Sequence, residues 1–251
     1  MDEKKIKEAF DSLTFSPDFQ ERTIRKVQES ARTAGKEHAM TIHKRATSIL
    51  ITAAAVALLA VSVFAAATLL TSEQVAQELD DPKLADAFSA SQAAVQMAEV
   101  GMYQVAFEGI VSGENLSQYE HLNDGKDLTD RSYAVFAVSG AGGEPLALEH
   151  PGITLSELGL TITPLVRGHL PWEVNLWTLH GAYSGFIHDG VAYFLFGMET
   201  LDQFENEERY FAAYTNDGNS PPSAERFSLA EDGTITLNSG VDGVMFTIQS
   251  N

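Results

Sequence analysis

Apolar and polar positions follow three different rules along this chain, and each rule predicts a different element. Over DEKKIKEAFDSL, Ile6, Phe10 and Leu13 recur at spacings of four and three, with Lys4, Lys5, Lys7 and Glu8 between them. That is the pattern of a short amphipathic helix. Ser16 then N-caps a second helix, with Pro17 at its first position and Asp18 in its first turn. The second helix is predicted to run to about Arg32, with Phe19, Thr23, Ile24 and Val27 as its apolar stripe. Isolated helices this short are marginal in water, so their stripes call for a cover: a partner protein, a second copy or a lipid surface.

The next rule is the loss of charge altogether. Ala46 to Leu70, ATSILITAAAVALLAVSVFAAATLL, contains no charged residue, and 22 of its positions follow from Ile49 onward. As a helix those positions span about 33 Å, close to the hydrocarbon thickness of a bilayer. The interruptions Thr47, Ser48, Thr52, Ser62 and Thr68 can return hydrogen bonds to the helix's own carbonyls, so no backbone group needs water. A transmembrane helix is predicted over 46–70. The residues before it, 1–45, set it apart from a secretory signal peptide, whose apolar core lies near the N-terminus. Ala53 and Ala57 form a small-xxx-small pair through which a homodimer could pack.

Beyond the span, Val75, Leu79, Leu84, Phe88 and Val95 keep a helical spacing that is broken at Asp80-Asp81-Pro82. This predicts a helical stalk over 71–100. After Val100 the period becomes two. Tyr103, Val105 and Phe107 alternate with Gln104, Ala106 and Glu108, predicting a strand with one buried face. Ser132 to Val138 is nearly all apolar, as a central sandwich strand would be. Ile153 to Val166 carries Leu158, Leu160 and Ile162, with Pro164 marking an edge or an end. Trp172 to His180 alternates once more, through Trp172, Val174 and Leu176.

A hairpin is predicted from Tyr183–His188 and Val191–Phe196, joined by Asp189-Gly190. Asp-Gly recurs at 124–125, 217–218, 232–233 and 242–243, each read as a turn, and Met198 to Glu208 reads as a short helix. Further short strands are expected over Arg209–Thr215, Arg226–Leu229, Thr234–Leu237 and Val244–Ile248. Together they predict a mainly β outer domain, an antiparallel β-sandwich over 101–251, preceded by short N-terminal helices and the transmembrane helix.

Charge orients this arrangement. The chain has a net charge of −19, but residues 1–45 carry ten Lys/Arg against eight Asp/Glu, and residues 71–251 carry six against 27. Lys44 and Arg45 abut the span on one side, whereas the other side opens with Thr71, Ser72 and Glu73. The positive-inside rule then places the N-terminus in the cytoplasm and the acidic domain outside the cell membrane. An acidic exterior repels phosphate and argues against nucleic acid as a direct partner. There is no cysteine, which removes disulfides, thiol chemistry and Cys-ligated metals.

The search for chemistry returns little. Ala182 stands where a nucleophile elbow around Ser184-Gly185 would need its first glycine. Glycines stand at 140, 142 and 143, but Pro145 occupies the place where a nucleotide-binding loop would need its last glycine. The Asp-Gly turns lack the remaining ligands of a calcium loop. His180, His188 and Asp189 could converge as metal ligands, but histidines at strand ends more often serve as surface or turn residues. Trp172, Trp177, Tyr183 and Tyr193 could line a groove, though as strand residues they are expected in the core. No catalytic residue, cofactor or metal is predicted.

The run IKEAFDSLTFSPDFQERTIRKV, the single span, and the stretches EGIVSGENLS and DRSYAVFAV resemble a group of Gram-positive bacterial membrane proteins. Their extracytoplasmic domain has no assigned function, and they are often described as anti-sigma-factor-like. The resemblance implies a non-enzymatic regulator whose cytosolic segment holds a sigma factor while its outer domain senses the envelope. The partner-binding anchors would be Ile6, Phe10, Leu13, Phe19, Ile24 and Val27. The His-x₃-Cys-x₂-Cys zinc signature of one anti-sigma group is absent, since there is no cysteine. A competing expectation is an envelope binding or structural module for which the tail is only a topology signal.

Overall fold

The computed structural model describes residues 69–91, 94–119, 129–147, 152–218 and 220–249, and the backbone of 122–123 and 126–127. The anchors Ile6, Phe10, Leu13, Phe19, Ile24 and Val27 and nearly all of the uncharged run 46–70 lie outside the described residues. Among the described residues no helix is long and apolar enough to cross a membrane.

Almost all of the regular structure is antiparallel. Strands β1 (Gln96–Val100), β2 (Tyr103–Glu114), β5 (Asp130–Gly140), β7 (Ala182–His188) and β8 (Val191–Glu199) form one sheet in the order β1-β2-β5-β8-β7. Strands β6 (Leu160–Val166), β9 (Arg209–Thr215) and β12 (Gly243–Ile248) form a second, ordered β12-β9-β6. Two minor hairpins, β3–β4 (Leu122–Asn123, Lys126–Asp127) and β10–β11 (Phe227–Leu229, Ile235–Leu237), complete the set.

The two larger sheets face each other in a sandwich-like arrangement because their strands send alternate side chains inward. Val105 and Phe107, Phe136 and Val138, and Phe194 and Phe196 from the first sheet share one core with Leu160, Ile162, Phe211 and Phe246 from the second. Phe136 sits at its centre, with ring centroids 5.0 Å from Phe107 and 5.1 Å from Phe211. The sheets are tied along one side by Gln96, whose amide donates to Thr247 O at 2.7 Å and accepts from Thr247 N at 3.1 Å. On the other side the segment 152–158 spans the gap. Ile153 N donates to Gly185 O, and Leu155 N to the Tyr183 hydroxyl at 3.1 Å.

Each sheet is also covered on its outer face. Helices α1 (Ser72–Glu78) and α2 (Pro82–Ser89) lay Val75, Ala76, Leu84, Ala85 and Phe88 over Tyr133, Val135, Ala137 and Tyr193. The β10–β11 hairpin packs Phe227 and Ile235 on Leu165, Ala212 and Tyr214. The covering explains why β2 and β5 are buried on both faces, where alternation in β2 predicts only one. It also means that 71–100 is not a stalk: its two helices lie on the sheet, and its last five residues are strand β1. Leu69 and Leu70 join the same cluster, and Leu70 N donates to the Tyr193 hydroxyl at 2.9 Å.

Three further expectations change. Trp172–His180 forms turns, not a strand, because buried Asn175 folds the chain back on itself. Its Oδ1 accepts from Trp177 N at 2.9 Å and Thr178 N at 3.2 Å, and its Nδ2 donates to Pro171 O at 3.0 Å. Trp172 and Trp177 are therefore 39% and 38% exposed instead of filling the core. Ile153–Val166 divides into a one-turn helix α3 (Leu155–Leu158), closed by Thr154 and Glu157 in a capping box, and the edge strand β6 that accommodates Pro164. In the region read as a helix over Met198–Glu208, β8 runs on to Glu199 and only Leu201–Phe204 makes a 3-10 turn. The hairpin turn is as expected: Asp189 and Gly190 have φ of 50° and 77°, the double positive φ of a type I′ turn. Asp242-Gly243 is not such a turn, since Gly243 opens β12 opposite Tyr214.

Candidate functional site

A cleft of about 390 Å³ opens on the helix-covered face of the larger sheet, where the α1–α2 junction meets the ends of β5, β7 and β8. Its floor is Arg131 and Tyr133 on β5 with Leu195 and Gly197 on β8, and its walls include Leu79, Asp81 and Leu84. The β7 side contributes His180, Ala182, Tyr183 and Ser184, and the loop after β2 contributes Ser117 and Tyr119. The volume lies in the range of small-molecule sites.

Period-two geometry explains the floor. Arg131, Tyr133, Val135 and Ala137 are two apart on β5 and share the face that α1 and α2 cover. An arginine in phase with that apolar face has to be buried, and Arg131 is only 4% exposed. Among the described residues its Nε and Nη1 have no hydrogen-bond partner. The cross-strand neighbour of Arg131 is Glu199, but that carboxylate turns to His180 Nδ1 at 2.8 Å. Gly197 keeps the floor open, for a Cβ there would stand 3.1 Å from the Tyr133 ring and 3.7 Å from Arg131 Nη2.

Asp81 is the second buried charge of the cleft, at 2% exposure. It N-caps α2 by accepting from Leu84 N at 3.1 Å. It also accepts from Gln118 N at 3.2 Å and from the Ser117 hydroxyl. Its charge is thereby satisfied by three donors and by the positive end of a helix. Above it, Tyr119 donates its hydroxyl to Asp80 O at 3.0 Å. Burial pushes the Tyr133 hydroxyl above its usual pKa, opposed by the nearby Arg131 charge.

The pair Glu199–His180 with Ser184 in the same cleft is the arrangement nearest to a nucleophile with its base. A working triad needs the hydroxyl within hydrogen-bond reach of the imidazole. No such bond joins Ser184 to His180, and the Ser117 hydroxyl is spent on Asp81. The metal grouping considered for His180, His188 and Asp189 is not assembled. His188 lies at the far end of β7, 3.6 Å from Asp189, while His180 precedes that strand and pairs with Glu199. Among the described residues no three His, Cys, Asp or Glu side chains cluster as metal ligands.

A smaller cavity of about 260 Å³ lies beneath the start of α1 and the end of α2, lined by Ser72, Glu73, Phe88, Ser91 and Glu108 among others. Glu108 is the extra residue of a β-bulge, where the β2–β5 register jumps from Phe107 to Gly109. Its Oε1 is buried without a partner, as are Ser72 Oγ and Ser91 Oγ. Desolvation pushes the Glu108 carboxyl up to about 7.

None of Arg131, Asp81 and Glu108 stands out as a candidate in the sequence reading. The signal was present for one of them. Arg131 is in phase with Tyr133, Val135 and Ala137, whereas Glu108 shares its face with Gln104 and Ala106, the side of the strand read as polar. The stretches EGIVSGENLS and DRSYAVFAV meet here, since they supply Ser117, Arg131 and Tyr133 to the one cleft and Glu108 to the other cavity. Comparison with protein-family models, with curated proteins and with solved structures gives no match, so the function of this chain has to be argued from the cleft itself.

Proposed function

We propose that the chain is a membrane-anchored, non-enzymatic regulator of the anti-sigma-factor type. Residues 1–45 hold a cytosolic partner, a sigma factor or similar protein, through Ile6, Phe10, Leu13, Phe19, Ile24 and Val27. Residues 46–70 cross the bilayer, and the β domain recognises a ligand outside. The single observation that carries this reading is the position of the cleft. One of its walls, Leu79, Asp81 and Leu84, belongs to α1 and α2 or their junction, the first elements after the uncharged run. A ligand seated there touches the part of the domain that is covalently continuous with the predicted span, which is where a signal has to enter if it is to reach the cytosol.

The chemistry of the cleft also favours recognition over turnover. Asp81 is committed to a helix cap and His180 to Glu199, which leaves a cation, several aromatic rings and leucines as its free features.

The test uses the full-length chain as bait in the strain that expresses it. The parent should capture a sigma factor or another transcription component, and the Phe10→Asp/Phe19→Asp variant should release it and derepress the controlled genes. Capture of no transcription component by the parent, or unchanged transcription in the variant, would favour the tethered envelope module instead.

A further inference from the structure

We propose that the cleft over Arg131 binds a small monocarboxylate. The head group sits on the guanidinium, and the apolar body lies against Leu79, Leu84 and Leu195. The proposal rests on reading the cleft as the recognition site of the domain and adds the chemical class of its ligand.

The first support is a buried guanidinium with unpartnered donors. A guanidinium cannot shed its proton, and buried polar groups in folded proteins are nearly always partnered. Arg131 is 4% exposed, with Nε and Nη1 lacking any acceptor among the described residues. The two carboxylates that might neutralise it are engaged. Asp81 accepts from Leu84 N, Gln118 N and Ser117, and Glu199 is held by His180 at 2.8 Å. An external acceptor is the missing element, and a carboxylate matches the fork of a guanidinium.

The surroundings then select among anions. Among the described residues Arg131 is the only Lys or Arg in the cleft lining, which also contains Asp81, with Glu199 beside it in the sheet. A doubly charged phosphate would add two negative charges to a site of one cation and two carboxylates, whereas a monocarboxylate adds only one. The cleft holds about 390 Å³, more than a bare carboxylate fills, and its remaining lining is rich in leucine and tyrosine. That composition accepts an aliphatic or aromatic tail.

The experiment titrates the full-length chain, purified in detergent, with hexanoate and phenylacetate. Each is compared with its neutral amide and with inorganic phosphate. Saturable binding of at least one carboxylate is expected, with its amide at least about tenfold weaker. Arg131→Met should weaken that binding about thirtyfold or more, while melting at the same temperature as the parent or higher, because it removes an unpaired buried charge. Ala182→Trp, which fills the cleft from an exposed wall position, should also abolish binding and guards against misfolding of the first variant. Equal binding of acid and amide, binding by neither, tighter binding of phosphate, or full binding by both variants would overturn the proposal. Carboxylate binding with no change in partner capture would leave the site standing and count only against the sensor reading.

Discussion

Glu108 illustrates how a single residue acquires properties that its neighbours do not share. It is one of 35 acidic residues in the chain, yet the β-bulge turns it beneath α1 and α2, where its charge is stripped of water. Its carboxyl titrates at about 7 when folded and near 4.5 when exposed. Below the lower value both states hold the proton and no charge is desolvated. Above the higher value both are ionised, and the folded state bears the whole desolvation penalty, about 3 kcal/mol at roughly 1.4 kcal/mol per pKa unit. Stability should therefore fall as pH rises from about 4.5 through about 7. Glu108→Gln removes the titration, so denaturant midpoints of variant and parent should agree at pH 4 and diverge in favour of the variant by pH 8. Equal slopes against pH for both proteins would refute the assignment. Of the groups around this carboxyl, Glu73 lines the same cavity, and the nearby Tyr193 hydroxyl is itself raised by burial.

At the scale of elements, the pair α1–α2 is held by capping rather than by length. Helices of seven and eight residues have little stability alone. α1 starts with a capping box between Thr71 and Gln74, and α2 with Asp81 and Pro82. Asp81 does more than cap, because its other contacts bind the loop at Ser117–Gln118 to the helix start. Asp81→Ala should cost about 2 kcal/mol or more in urea unfolding, beyond the roughly 1 kcal/mol of a simple cap, since it also strands buried donors. Hydrogen exchange should quicken in both α2 and the 115–119 loop. An effect confined to α2 would show that the loop is held by other contacts. The same pattern of local chemistry accounts for the elements that alternation misreads. Asn175 in Trp172–His180 and the Thr154–Glu157 box in Ile153–Val166 both offer the backbone side-chain partners that compete with a strand ladder.

At the scale of the whole β domain, the two sheets share one core, so the layers are expected to unfold as one cooperative unit. Phe136 belongs to the central strand of the larger sheet and touches rings from both sheets, Phe107 and Phe196 on its own side and Phe211 and Phe246 opposite. Phe136→Ala should cost about 3–5 kcal/mol, the transfer of a buried ring plus the cavity it leaves. The loss should register equally by fluorescence and by far-ultraviolet circular dichroism in a single transition. A smaller cost, or two separated transitions, would mean that the sheets unfold independently. The acidic surface adds a global contribution, because 27 Asp/Glu against six Lys/Arg over 71–251 repel one another. Added salt should therefore offset part of any such loss.

What the residues determined without help was local. The nearly unbroken apolar run over Ser132–Val138 marks a central strand, and Asp189-Gly190 marks a hairpin because both positions must take positive φ. Asp81-Pro82 starts a helix because a carboxylate caps it and proline needs no donor there. These signals depend only on neighbours within a few residues. The uncharged run 46–70 and the charge asymmetry about it are likewise written in the chain. Tertiary structure alone decided that α1 and α2 cover a sheet instead of extending from it, because a helical stripe specifies that something must bury it but not what. It alone brought Asp81, Ser117, Arg131 and Gly197 to one cleft from four separate segments, with Glu199 opposite Arg131 in the sheet. A charge in phase with an apolar face was visible at Arg131. Only the folded sheet shows that both neighbouring carboxylates are occupied, and that occupancy makes a buried arginine a candidate site.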